Sequence, residues 1–143
     1  MPYKYLEDIA IADVAFEATG KTLVELFESA GLALTNTQVK DLKKIEEKIS
    51  KEIEVKAASV EMLLFNFLQE LIFLKDAEQL LLKKFEIKIL PNKKGWELKA
   101  KVYGEKINPE KHELLVDVKA VSLHLFKVEE LKDGWRATVV LDV

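Results

Sequence analysis

Apolar residues recur along this chain in two rhythms, and the alternation between them predicts its elements. Over residues 9–18, IAIADVAFEA, a period of two predicts a buried strand, and Gly20 predicts the turn that ends it. Helical spacing follows. Leu23, Leu26, Phe27, Ala30 and Leu34 form one stripe, with Lys21, Glu25 and Glu28 largely off it. Thr22 and Glu25 have the spacing of a capping box, in which the hydroxyl accepts from the amide three residues on and the carboxylate reaches back to the amide at the cap.

The period of two returns at Ile49, Lys51, Ile53, Val55 and Ala57, opposed by Ser50, Glu52, Glu54 and Lys56, which predicts a half-buried strand. Ser59 then caps a second helix whose wide apolar face, Val60, Leu63, Leu64, Phe67, Leu68 and Leu71, runs to about residue 74. From Phe85 the alternation Phe85, Ile87, Ile89 passes through PNKKG into Trp96, Leu98, Ala100 and Val102, a β-hairpin. Residues 104–112, GEKINPEKH, read as a connection, and a strand from about Val116 to Leu131 follows. Asp133-Gly134 signals a tight turn into a final strand, WRATVVLDV. This order predicts a single two-layer α+β domain over 1–143, with a mixed β-sheet and two principal amphipathic helices.

Composition narrows the function. The 143 residues are 49% hydrophobic and 33% charged, as expected of one folded core under a solvated surface. Twenty-two basic and 25 acidic residues, net −3, are mixed along the chain, so no basic field exists to attract nucleic acid. The absence of cysteine excludes disulfides, thiolate zinc sites and a cysteine nucleophile. Val60–Leu74 is too short and too polar to span a bilayer, and MPYKYLED lacks the features of a signal peptide. These features predict a cytoplasmic protein without membrane contact.

Two carboxylates stand out. Asp13 interrupts a run that otherwise reads as core strand, and a buried carboxylate is costly unless it is paired, hydrogen-bonded or bound to a cation. Asp142 stands one residue from the α-carboxylate of Val143. With the first and last strands side by side, Asp13, Asp142 and Val143 would supply hard oxygens suited to calcium or magnesium. The alternative is a pair of solvated or backbone-capping carboxylates at strand ends. His124, between Leu123 and Leu125, is expected to share a strand face with Ser122 and Phe126 as a packing residue, and His112 to be exposed in the connection. The GKT at Gly20–Thr22 lacks the first glycine of a phosphate loop, since position 15 is Ala15. Trp96 and Trp135 read as packing anchors.

Three runs carry a resemblance: ADVAFEATGKTLVELFESAGLAL at 12–34, GEKINPEKHELLVDVKAVSLHLFKVEE at 104–130 and GWRATVVLDV at 134–143. In order and spacing they resemble the archease family over nearly the whole chain. The resemblance implies a non-enzymatic accessory of the RtcB-type RNA ligase of transfer-RNA splicing and repair, one that promotes guanylylation of the ligase by GTP, sustains its turnover and can broaden its nucleotide use. It implies nucleic acid contact only through the ligase. It also implies a divalent-cation site, calcium foremost with magnesium or manganese as alternatives, at positions matching Asp13, Asp142 and Val143. His124 falls at a later family histidine and is a candidate for supporting that site, although the tyrosine common before it is Leu123 here. The His-Thr pair common before the Ala-Asp-Val motif is replaced by Ala10-Ile11, so no role of that histidine carries over. Two other classes remain open: a metal-dependent hydrolase or nuclease using the same aspartates, and a chaperone-like RNA-processing module.

Overall fold

The computed structural model describes residues 2–7 and 13–143. In chain order the elements are β1 (Tyr3–Leu6), β2 (Asp13–Gly20), α1 (Leu23–Gln38), β3 (Ile49–Ala57), α2 (Val60–Glu78), β4 (Leu80–Asn92), β5 (Gly95–Lys106), β6 (Ala120–Leu131) and β7 (Gly134–Asp142). Both helices start where their caps predict. The Glu25 amide donates to Thr22 Oγ1 at 3.1 Å and the Met62 amide to Ser59 Oγ at 3.1 Å. The Glu25 carboxylate reaches one residue further back than a standard capping box, accepting from the Lys21 amide at 2.9 Å.

The α+β class and the two helices are as expected, whereas the single mixed sheet is replaced by two sheets paired antiparallel throughout. Their strand orders are β1-β2-β7-β6 and β3-β5-β4. The physical reason lies in β5. Helix α2 joins β3 to β4, which point the same way, but β5 folds back between them and pairs antiparallel with both, so no parallel ladder forms. Each helix packs on both sheets: α1 on β1, β2, β7 and β4, and α2 on β3, β4, β5 and β6. One apolar cluster, including Phe16, Phe27, Phe67, Leu98 and Val139, fills the space between them, and Trp96 and Trp135 pack at its margin as anchors.

This double contact explains why α1 is buried beyond its predicted stripe. Its small polar residues are satisfied by hydroxyl-to-carbonyl bonds: Ser29 donates to Glu25 O at 2.9 Å, Thr37 to Ala33 O at 2.8 Å, and Thr35 across to Leu82 O of β4 at 2.6 Å.

Several boundaries move. The predicted strand over 9–18 is realised from Asp13, and residues 9–12 lie outside the described residues. The four residues of β1 are too short an alternation to have been predicted. Helix α2 continues to Glu78, and β4 begins at Leu80 rather than Phe85. Residues 104–106, expected in a connection, belong to β5, while β6 starts at Ala120 rather than Val116. Gly104 is needed there, because a Cβ at that position would lie 1.8 Å from the Leu81 carbonyl oxygen.

Among the described residues the outer edge of β6 has no strand neighbour, and α2 takes that place. Glu61, Phe65 and Gln69 fall on one ridge of the helix, four residues apart. The Val128 amide donates to Glu61 Oε2 at 3.2 Å and the Val121 amide to Gln69 Oε1 at 2.8 Å, while Phe65 packs edge-on against Phe126 with ring centroids 5.6 Å apart. Among the described residues no helix is long and apolar enough to cross a membrane.

Candidate functional site

The ladder between β2 and β7 sets the site. Its register runs from Gly20↔Trp135 at one end to Asp13↔Asp142 at the other, so the first described residue of β2 stands directly across from the last residue of β7. Phe16, Ala18, Ala137, Val139 and Leu141 face the helices and join the main core. By the strand period of two, Asp13 and Asp142 lie on the opposite face. Beside them on that face, Ala15 and Val140 pair and are buried, at 4% and 0% exposure, so the two acids border an apolar floor rather than an open charged surface.

Chain connections hold this end in place. Ala120 pairs with Asp142 from β6, and the Lys119 amide donates to Asp142 O at 2.8 Å. Val143, half-buried, packs its side chain against the main core, which fixes the residue that follows Asp142. Upstream, the buried Lys75 ammonium grips the segment leading into β6, donating to Val118 O at 2.7 Å and Asp117 Oδ1 at 2.5 Å, with Asp76 at 2.6 Å. Burial alone would lower the Lys75 pKa; the two aspartates outweigh it and raise it.

Like charges directly opposite in a ladder are destabilising, by about 0.2–1 kcal/mol. Of the cations on this sheet, Arg136 and Lys127 both pair with Glu129 and Lys4 pairs with Glu17, while the exposed Lys119, next to Ala120, forms no ion pair among the described residues. Among the described residues, neither Asp13 nor Asp142 has a cationic or hydrogen-bonding partner for its side chain. The donor set is all oxygen and anionic, which fits a hard divalent cation. No group of three His, Cys, Asp or Glu side chains able to hold a metal exists among the described residues.

Both histidines differ from expectation. His124 does not share a regular face with Ser122 and Phe126, because β6 breaks register between Ser122, opposite Val140, and Lys127, opposite Thr138. The extra residues bulge out, leaving Leu123, His124 and Leu125 exposed. His112, expected in solvent, is 1% exposed. Its Nδ1 accepts from the Asn108 amide at 2.9 Å, which leaves Nε2 to donate to Glu105 Oε2 at 3.1 Å. Glu105 also accepts from Lys111 Nζ at 2.8 Å and from the Glu46 amide at 2.7 Å. Burial would raise the Glu105 carboxyl, but Lys111, the Glu46 amide and His112 outweigh it and hold it at about 2. This saturated cluster clamps the connection after β5 and is structural. Asn108-Pro109 with a histidine four residues after the asparagine was the available signal, since Asn108 turns the chain back on itself through the Glu110 and His112 amides.

Comparison with known proteins gives the family and the fold. The model of the Archease protein family matches residues 3–143. The chain belongs to the archease family. It is 44% identical over 133 residues to protein archease of Pyrococcus abyssi, covering 92% of this chain and 93% of that one. It is 34% identical over 142 residues to the archease of Methanosarcina acetivorans, covering 99% and 95%. The solution structure of a Methanobacterium thermoautotrophicum protein superimposes with a TM-score of 0.86 at 31% identity, covering 99% of both chains. A Thermotoga maritima archease, described as a "possible chaperone", shares the fold at a TM-score of 0.63 and 24% identity.

Proposed function

We propose that this chain is an accessory activator of an RtcB-type RNA ligase, acting through a divalent cation held at the paired ends of β2 and β7. The observation that carries the proposal is the Asp13↔Asp142 register, which sets two carboxylates face to face with no compensating cation among the described residues. Asp13 and Asp142 would hold the cation with the α-carboxylate of Val143, calcium being the first choice for oxygen donors and magnesium or manganese the alternatives. A bound divalent ion supplies charge compensation for phosphate oxygens and helps to position them.

The chain's own contribution is placement. The β2–β7 ladder fixes the carboxylates, the Lys119 amide and the β6 neighbour fix Asp142, and the packed Val143 side chain fixes the terminus. When the acidic end docks at the partner's nucleotide site, it aids transfer of guanosine monophosphate to the ligase's histidine by orientation and charge, without a covalent intermediate of its own. Nucleic acid is reached only through the ligase. A self-sufficient hydrolase would need a general base beside the acids, and of the two histidines His112 is enclosed by Glu105 and Asn108.

The test is multiple-turnover ligation and guanylylation by the cognate ligase, with and without this protein and its Asp13→Ala variant. Stimulation by the wild type that the variant loses is the expected result. No stimulation by the wild type would overturn the activator role, and RNA cleavage by the protein alone with a divalent ion would replace it with the hydrolase.

A further inference from the structure

The β6 bulge is built as a rigid, exposed apolar knuckle beside the acidic end. Leu123 is 62% and Leu125 49% exposed, within a strand whose neighbours Val121 and Phe126 are buried. Leu125 adopts φ +60, a left-handed conformation that a leucine side chain disfavours. Such a conformation persists only where the surroundings impose it, and strained residues of this kind gather at working sites. Here the surroundings are visible. Gln69 holds the Val121 amide on one side of the bulge, while Phe65 against Phe126 and Glu61 on the Val128 amide hold the other. Inside it, the His124 amide donates to Ser122 Oγ at 3.1 Å. Ser122 pairs with Val140, one step along the sheet face from Ala120 and Asp142, roughly 7 Å by strand rise.

We infer that Leu123 and Leu125 form the docking element by which this chain engages its protein partner, inserting into an apolar recess that lies beside a cationic or metal-bearing site. The inference rests on the activator role proposed above and adds the surface that delivers the acids. Charge selects the occupant. In the cation-free protein, carboxylates with no cationic partner among the described residues stand next to the knuckle and repel the phosphates of RNA and of anionic lipid headgroups, and two copies meeting through it would bring two acidic pairs together. A protein surface with an apolar recess next to positive charge complements both features. Two leucines on a fixed backbone also lose little freedom on binding, which favours affinity.

The experiment measures binding of the intact protein to the cognate ligase by titration calorimetry, alongside ligase stimulation, for the wild type, Leu123→Ser/Leu125→Ser and Asp13→Ala. The leucine variant should keep its thermal midpoint, since both side chains are exposed, yet bind about tenfold more weakly or worse. Asp13→Ala keeps the knuckle but removes part of the complementary charge, and should bind about threefold more weakly than the wild type, less affected than the leucine variant, while losing stimulation. Leu125→Gly separates strain from contact: it should raise the thermal midpoint by removing the left-handed leucine and still weaken binding. Wild-type affinity in the leucine variant overturns the knuckle and leaves the activator role standing. Concentration-dependent self-association of the wild type that the leucine variant abolishes overturns it in favour of a second copy. A wild type that neither binds nor stimulates the ligase overturns the activator role, and the docking element with it.

Discussion

Glu105 and the Asp13–Asp142 pair are both carboxylate sites near strand ends, and their electrostatics are opposite. Glu105 is buried and its oxygens are occupied by an ammonium, a backbone amide and an imidazole N–H. The two aspartates are half-buried, face each other across a ladder, and have no such partners among the described residues. A carboxylate with its bonding capacity filled ties segments together: Glu105 joins the residues before β3 to the connection after β5. A carboxylate whose charge is left uncompensated destabilises the apo fold slightly and is available to a ligand. Burial alone does not separate the two kinds of site, but saturation does.

Exchanging the charges should break this contrast in opposite directions. Glu105→Gln removes the anion from the partly exposed Lys111 and should lower unfolding free energy by about 1.5 kcal/mol in urea titrations, with ligase stimulation per folded molecule unchanged. An unaltered urea midpoint would show that the buried cluster is not structural. The same variant reports the pH dependence. The Glu105 carboxyl is held at about 2 against an ordinary 4.5, so its stabilisation is complete above 4.5 and is lost as pH falls toward 2. The stability gap between wild type and Glu105→Gln should therefore close over that interval.

Calcium sharpens the other side of the comparison. At about a hundred times its dissociation constant the ion should stabilise the wild type by about 2.7 kcal/mol, with no comparable gain in Asp142→Ala. Equal shifts in the two proteins would place the cation elsewhere. The smallest effect is expected from Asp142→Asn in chelator, where relief of the Asp13 repulsion should raise stability by about 0.5 kcal/mol. A loss of stability there would mean that the two acids are already compensated in the apo protein.

Much of this was legible in the chain itself. The capping residues Thr22 and Ser59, the strand Ile49–Ala57 and the turns before Gly95 and Gly134 are local devices, and each stands where its pattern places it. Asp13 and Asp142 were visible as acids in apolar runs, and the ladder sets them opposite each other. The bulge at Leu123–Leu125 was not visible, since its alternation reads as ordinary strand. For His112 the sequence offered only the Asn108-Pro109 turn that brings the histidine back, and its burial depends on Glu105 folding over it.

What the sequence determined by itself is what nearest neighbours can decide: caps, turns, and which face of each helix or strand is apolar. Periodicity and capping act within a few residues, so they can be read without knowing the rest of the fold. Only the tertiary structure decided that β5 intervenes between β3 and β4 to make two antiparallel sheets, that α2 packs along the outer edge of β6, and that His112 is enclosed. Each of these depends on groups far apart in the chain, as when Gln69 receives the Val121 amide. A backbone amide or a buried charge must find a partner wherever the fold provides one, and no local pattern encodes where that is.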